Sequence, residues 1–382
     1  MLSSQKHLFQ LPADITYLNC AYMSPLLQSS VEAGVKGILR KANPASIKAE
    51  DFFSDSEEIK IKAGLIIQAA PQQIAIVPSA SYGIKAAVNN LPVNNGNHAI
   101  TVAEEFPSVY YTIESWCRTN SKELKIITPP ATQNERGKKW NEKLLESINN
   151  DTAVVAISSI HWTDGTKFDL KAIGERCKEV NAMFIVDGTQ SVGALPMNVH
   201  EYKIDALICA GYKWLLSPYT IGIAYYSEYF NNGKPIEDTW LNKTNAVNFA
   251  RLVDYVNAYK PAAGRYNSGE YSNFILTPMF NDSLQQLINW GIENIQEYCA
   301  ALIQPLTALI QQKEFWIEDK EYRTNHLFGF GLPSAINKTQ LLETLQQRKI
   351  FVSLRSDAVR ISPHLYNDER DIIALMEIIG AL

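Results

Sequence analysis

Along the first 226 residues, short apolar runs rich in β-branched residues alternate with longer stretches whose apolar positions recur every three to four residues. The runs QIAIVPS (73–79), HAITV (98–102), LKIITP (124–129), TAVVAISSI (152–160), MFIVDG (183–188), DALICAG (205–211) and TIGIAYY (220–226) each predict a buried strand. Between them, SYGIKAAVNNL (81–91), SVYYTIESWCRT (108–119), WNEKLLESI (140–148) and DLKAIGERCKEVN (169–181) predict helices. Ser108 follows Pro107 and opens the second helix, and Asp169 is the expected N-cap of the fourth. This alternation predicts an α/β fold, with a mostly parallel seven-stranded sheet covered by helices on both faces.

From about Trp240 the texture changes. Residues 245–274 are irregular and polar-aromatic, as expected of an active-site loop rather than a core element. Residues 278–313 read as a long helical stretch broken near Gly291 and Pro305. The tail then offers a strand (326–332), a helix (337–349), a strand (350–363) and a last helix (368–379), a smaller α+β domain. The expected organisation is an N-terminal segment (1–15), a large domain (16–250) and a small C-terminal domain (251–382) with an active-site loop at 258–275.

Composition narrows the classes without choosing among them. A length of 382 residues, 46% apolar and 20% charged, suits a globular protein with a sizeable core. A net charge of −5 gives no reason to expect nucleic acid or an anionic membrane as partner. No run reaches the roughly 18 apolar residues of a membrane span, and the N-terminus lacks a signal-peptide pattern. Five scattered cysteines without a CxxC pair fit a reducing cytoplasm without disulfides, and nothing supports a metal.

Chemistry gathers at the strand ends. In parallel sheets ligands bind beyond the carboxyl ends of the strands. Ser81, Phe106, Trp162, Asp187 and Lys213 all follow predicted strands closely. Asp187 ends an apolar run, where a carboxylate is costly unless paired, and Gln190 stands three residues on. Lys213 lies between Gly211-Tyr212 and Trp214-Leu215-Leu216, which is no setting for a solvated lysine. Lysine, carboxylate and amide together are what pyridoxal 5′-phosphate requires. The lysine forms a Schiff base with the aldehyde, the carboxylate keeps the pyridine nitrogen protonated, and the amide fixes the ring hydroxyl. Ser81 precedes a predicted helix, and the backbone amides of Ala80 and Ser81 can both cap that helix and take a phosphate.

On these residues the chain resembles the class V aminotransferase family of fold type I, which includes cysteine desulfurases, kynureninases and isopenicillin-N-epimerase-like proteins. The resemblance runs from YLNCAYMSPL (17–26) to VRISPHLYND (359–368), and Lys213 follows Asp187 by 26 positions and Gln190 by 23, as in the desulfurase branch. It implies that Lys213 bears the cofactor and moves the substrate Cα proton, that Asp187 meets the pyridine nitrogen, and that Gln190 meets the ring oxygen. It implies that Phe106, within EEFPSVYY, stacks on the ring, and that Tyr212 touches phosphate in the kynureninase manner. Trp162 stands where desulfurases carry asparagine. Arg360 is the expected anchor of the substrate carboxylate, for which a forked guanidinium is suited. Asn19, Tyr22 and Arg355 fall near the expected substrate pocket, whereas His161 either faces the substrate or is a satisfied core histidine. Two positions depart from the family: Ala210 replaces a phosphate-binding serine, and Glu270 replaces a threonine that reaches the partner subunit's phosphate.

The resemblance therefore implies a homodimeric enzyme acting on a small amino acid, by amino transfer or by carbon–sulfur or carbon–carbon cleavage. An epimerase and a non-catalytic binding protein are the alternatives. The family's persulfide-forming cysteine lies just before the carboxylate arginine, but SLRSDAVR (353–360) contains none, so a persulfide-forming desulfurase is not expected.

Overall fold

The chain is described by a computed structural model that covers residues 2–355 and 358–382. The N-terminal part contains β1 (Thr16–Tyr17), α1 (Gln28–Ala42), α2 (Ser54–Ile67), β2 (Ile74–Val77), α3 (Ala80–Val88), β3 (His98–Val102), α4 (Pro107–Thr119) and β4 (Glu123–Ile127). Next come α5 (Arg136–Ser147), β5 (Thr152–Ser158), α6 (Leu170–Glu179), β6 (Met183–Asp187), β7 (Ala206–Ala210) and β8 (Gly222–Tyr226). The C-terminal part holds α7 (Leu276–Trp290), α8 (Ile292–Gln312), β9 (Trp316–Ile317), β10 (Phe328–Gly331) and α9 (Lys338–Gln347). It ends with β11 (Ile350–Phe351), β12 (Ser353–Arg355), β13 (Ala358–Ile361) and α10 (Glu369–Ala381).

All seven apolar runs enter one sheet, in the order β2-β8-β7-β6-β5-β3-β4. Only β8 runs against its neighbours β2 and β7; the other pairings are parallel. Because side chains alternate across a strand, one run feeds two cores. Phe184 and Val186 of β6 join one cluster with Ile59 and Ile67 of α2, Ile173 of α6 and Phe280 of α7. Met183 and Ile185 of the same strand join another, with Ile84 of α3 and Val109 and Ile113 of α4. Helices thus cover both faces, which is why these strands are apolar throughout.

The direction of winding reverses between β3 and β5: β3 leads outward to β4, while β5 leads the other way to β6 and β7. Such a reversal leaves a crevice at the carboxyl ends of the strands. A second, four-stranded antiparallel sheet, β12-β13-β10-β9, packs with α8 and α10 through Leu306, Ile310, Phe330, Ile361 and Ile372.

Several expectations need correction. The stretch 350–363 is not one strand: β12 folds back on β13, pairing Ser353 with Arg360, and residues 356 and 357 between the two strands lie outside the described residues. Helix α8 continues through Pro305, because Leu302, Ile303, Leu306 and Ile310 bury one face and outweigh a single missing backbone bond. The break at Gly291 does occur, at φ +78°. Helix α4 begins at Pro107, with Phe106 as its N-cap, one residue before the expected Ser108. Helices α1 and α2 were not foreseen.

Candidate active site

The crevice holds a cleft of ≈ 250 Å³. Its lining includes Ala80, Ser81, Phe106, Trp162, Asp187, Gln190, Tyr212 and Lys213, every residue expected around the cofactor. They arrive from five places: the start of α3, the turn before α4, the loop after β5, the end of β6 with its following turn, and the turn after β7.

At one end lies the N-terminus of α3. Ser79 Oγ accepts the N–H of Tyr82 at 3.2 Å and lies 2.9 Å from Ser81 Oγ. Ala80 and Ser81 of the first turn line the cleft, and the free N–H groups and dipole of a helix start favour an anion there. Tyr212 and Tyr219 wall this region, their rings 4.6 Å apart.

Deeper in, Lys213 is buried, its Nζ 5.6 Å from the ring centres of both Phe106 and Tyr212. Burial, and then the Arg360 guanidinium, push its amine down to about 8, while Asp187 opposes the shift. Asp187 is buried at the end of β6, and its Oδ1 accepts the N–H of Thr189 at 2.9 Å. Burial raises its pKa, with Thr189 and Lys213 opposing. Among the described residues no lysine or arginine forms an ion pair with Asp187, and no carboxylate forms one with Lys213. Two buried groups of opposite charge type thus face one cavity, neither of them in an ion pair among the described residues.

Two residues that brace this site, Thr189 and Glu105, were not anticipated. Thr189 supports Asp187 and accepts the N–H of Ala210 at 3.1 Å, tying β6 to β7. Its position between Asp187 and Gln190 was the available signal. Glu105 is fully buried and accepts Ser158 N–H at 2.7 Å, Ser158 O–H at 2.5 Å and Phe106 N–H at 2.6 Å. Burial raises its pKa, and these donors offset part of that rise. Glu105 so clamps the β3 exit loop to the end of β5 and fixes Phe106, which meets Trp162 edge-to-face at 5.7 Å and 86°. The Trp162 indole donates to the carbonyl of Glu104 at 2.7 Å.

Arg360 on β13 is 1% exposed. It donates to the carbonyl of Trp162 at 2.6 Å and to Ser353 Oγ at 3.4 Å, while its Nε is buried without a partner among the described residues. Burial, and then Arg355, push it down to about 9. Ser353 Oγ in turn donates to Asn19 Oδ1 at 2.8 Å, which places Asn19 beside this group. Arg355 lines a neighbouring cavity of ≈ 260 Å³ with Glu104, Gln133 and Arg136, and its guanidinium lies 5.7 Å from the Trp162 ring centre.

Other expectations part from the geometry. His161 is a core histidine: Nδ1 faces Asp164 at 3.2 Å, Nε2 faces the carbonyl of Ala103 at 3.1 Å, and the ring packs on Trp140. Burial lowers its pKa, but Asp164 overrides that and the net shift is upward. Neither nitrogen is left for a substrate. Tyr22 is 56% exposed and does not line the cleft. Glu270, at the position expected to reach a partner subunit, lies in a different cavity with Phe52 and Trp240, which does not contradict that expectation.

The family described as "Aminotransferase class-V" matches residues 40–375. An uncharacterized aminotransferase, YcbU of Bacillus subtilis, is 24% identical over 322 residues, covering 83% of this chain and 80% of the relative. The cysteine desulfurase IscS of Haemophilus ducreyi is 29% identical over 218 residues, 55% of this chain and 52% of the relative, so the match spans about half of IscS. Among solved structures, a C-DES variant with glycine covalently linked to its PLP cofactor superposes at TM-score 0.85 with 17% identity, covering 99% of both chains. The cysteine desulfurase CsdA of Escherichia coli superposes at 0.81 with 15% identity over 98% of this chain and 96% of that one. At these identities the structural likeness speaks for the fold.

Proposed function

The chain belongs to the class V aminotransferase family, whose members are pyridoxal 5′-phosphate enzymes, and from that premise we propose that Lys213 carries the cofactor and that a small amino acid is the substrate. One observation carries this reading: a buried lysine and a buried carboxylate, neither ion-paired, share a cleft with a helix N-terminus. A group with an aldehyde, a protonatable ring nitrogen and a phosphate satisfies all three. Lys213 would hold the aldehyde, Asp187 the ring nitrogen's proton, and Ala80 and Ser81 the phosphate, beside Tyr212. Phe106 and Trp162 would flank the ring.

When bound, the cofactor supplies an electron-accepting ring. The chain does the rest. Arg360 binds and orients the substrate α-carboxylate through charge-assisted hydrogen bonds, with Asn19 linked to it through Ser353. Lys213, with a proton affinity brought near neutrality, moves a proton at the substrate Cα. Phe106, Trp162 and Tyr212 wall the cleft and limit water around it, which strengthens each charge interaction. Arg355, across Trp162, is suited to a substrate side chain with a polar or anionic end.

Amino transfer or carbon–sulfur or carbon–carbon cleavage fits better than persulfide formation. All five cysteines are buried, and none lies in 300–382, whereas a sulfur-accepting thiol must reach the substrate. A homodimer is the assembly proposed, in line with the position of Glu270 away from this chain's own cleft. The test is a panel of amino acids offered to the yellow, cofactor-loaded protein, with keto acid, alanine and sulfide measured. Keto acid or alanine from at least one substrate is expected. Persulfide on a protein cysteine, or no spectral change with any amino acid, would overturn the reading.

A further inference from the structure

Gln190 is expected to meet the ring oxygen of the cofactor, but an amide has two faces: its nitrogen donates and its oxygen accepts. Only one face serves an oxygen that carries negative charge. We propose that Trp214 and His326 are positioning residues that hold Gln190 with an amide N–H, not its carbonyl, toward the cleft. This deepens the cofactor reading of the cleft and rests on it.

The orientation follows from two one-way partners. The indole N–H of Trp214 can only donate, and it lies 3.0 Å from Gln190 Oε1. The carbonyl of Ala21 can only accept, and Gln190 Nε2 lies 3.2 Å from it. Flipping the amide would set N–H against N–H and oxygen against oxygen. Nε2 has a second hydrogen, and Gln190 lines the cleft. That hydrogen is what the cleft can receive.

The main chain of Gln190 is fixed by the same logic. Its carbonyl faces His326 Nε2 at 2.9 Å, so Nε2 carries the proton. His326 Nδ1 then accepts from Gln296 Nε2 at 2.7 Å, and the other hydrogen of that amide meets the carbonyl of Ala194 at 2.5 Å. Burial lowers the imidazole to about 4, so it stays neutral and keeps this tautomer. The Trp214 and His326 rings meet edge-to-face at 4.4 Å and 87°. Buried His326 and Trp214, with half-buried Gln296 behind them, thus form a brace behind Gln190.

Two variants test the brace. Trp214→Phe removes the indole N–H and frees the amide to turn. Gln190→Glu keeps the shape and the bond from Trp214 but has no donor for the cleft. Cofactor-free protein is titrated with pyridoxal 5′-phosphate, and the pH midpoint of the bound cofactor's visible absorbance is recorded. Losing a donor to a charged oxygen weakens the cofactor Kd by roughly 10-fold or more in both variants. The midpoint moves up, because an unbraced oxygen holds the shared proton more tightly. Both variants within twofold of wild type, with the midpoint unmoved, would overturn the proposal. A change in Gln190→Glu alone would remove Trp214 from it; should Trp214→Phe not fold, Gln190→Glu still decides whether a donor faces the cleft. Wild-type protein that takes up no cofactor would instead sink the underlying reading of the cleft.

Discussion

Asp187→Asn should push the protein in two opposite directions at once. The side chain keeps its shape and can still accept the Thr189 N–H, so the change is almost purely one of charge. In the cofactor-free protein the carboxylate is buried without an ion-pair partner, at an effective cost of several kcal/mol. Its bonds from Thr189 return about 1.5–3 kcal/mol each. Burial still outweighs these bonds, since the net shift of Asp187 is upward, so the charge carries a penalty that the amide avoids. Cofactor-free Asp187→Asn should therefore be more stable than wild type at pH 7. The sign with pH is also fixed. Burial raises the folded-state pKa of Asp187, so between the unfolded value and the raised one the folded state binds more protons. Over that window wild type loses stability relative to the variant as pH rises, and the difference levels off above the folded pKa. Cofactor binding should go the other way. The ring nitrogen loses a charge-assisted partner of about 1.5–3 kcal/mol, a weakening of roughly 10- to 150-fold in Kd. Urea unfolding of cofactor-free protein at several pH values, paired with cofactor titrations, measures both. A variant that is less stable without cofactor and binds it within threefold of wild type would refute the reasoning.

Three further outcomes follow from the same geometry. The rate at which cofactor-free protein captures pyridoxal 5′-phosphate should rise with pH through about 8 and then level off, because the neutral Lys213 amine is the reacting form; stopped-flow absorbance that keeps rising toward the ordinary lysine value would contradict this. Arg360→Met should raise the substrate KM by roughly two to three orders of magnitude, the cost of about 2–5 kcal/mol for truncating a buried charge-pair partner, while cofactor Kd stays within threefold. Gly193→Ala should destabilise the protein by about 2–4 kcal/mol, read by denaturant unfolding, since φ is +99° there and a Cβ would lie 2.4 Å from the Trp214 carbonyl.

What could be read from the sequence was whatever depends on neighbours along the chain. The seven strands were legible because a strand buried on both faces is apolar throughout, as in β5 and β6. Asp187, Gln190 and Lys213 were legible because they are polar groups set where such runs end. The helices α1 and α2 were not, since exposed Val35, Ile38, Leu39, Ile61 and Leu65 blur the apolar stripe, and Gly34, Gly37 and Gly64 sit inside. Gly37 is there because α1 meets the carbonyl of Phe274, where a Cβ would come within 2.2 Å. Glu105 was not legible because its donor, Ser158, is 53 residues away. His161 stayed ambiguous because Ala103, its second partner, is 58 residues away. The brace on Gln190 draws on Trp214 and on His326, which is 136 positions distant, and no local pattern carries that.

The most direct single measurement is where the cofactor attaches. Purified protein supplied with pyridoxal 5′-phosphate is reduced with borohydride, digested and mapped by mass spectrometry. A pyridoxyl group on the peptide containing Lys213, absent in Lys213→Ala, is the predicted result. Labelling of another lysine, or none with cofactor present in excess, would contradict the assignment of this cleft.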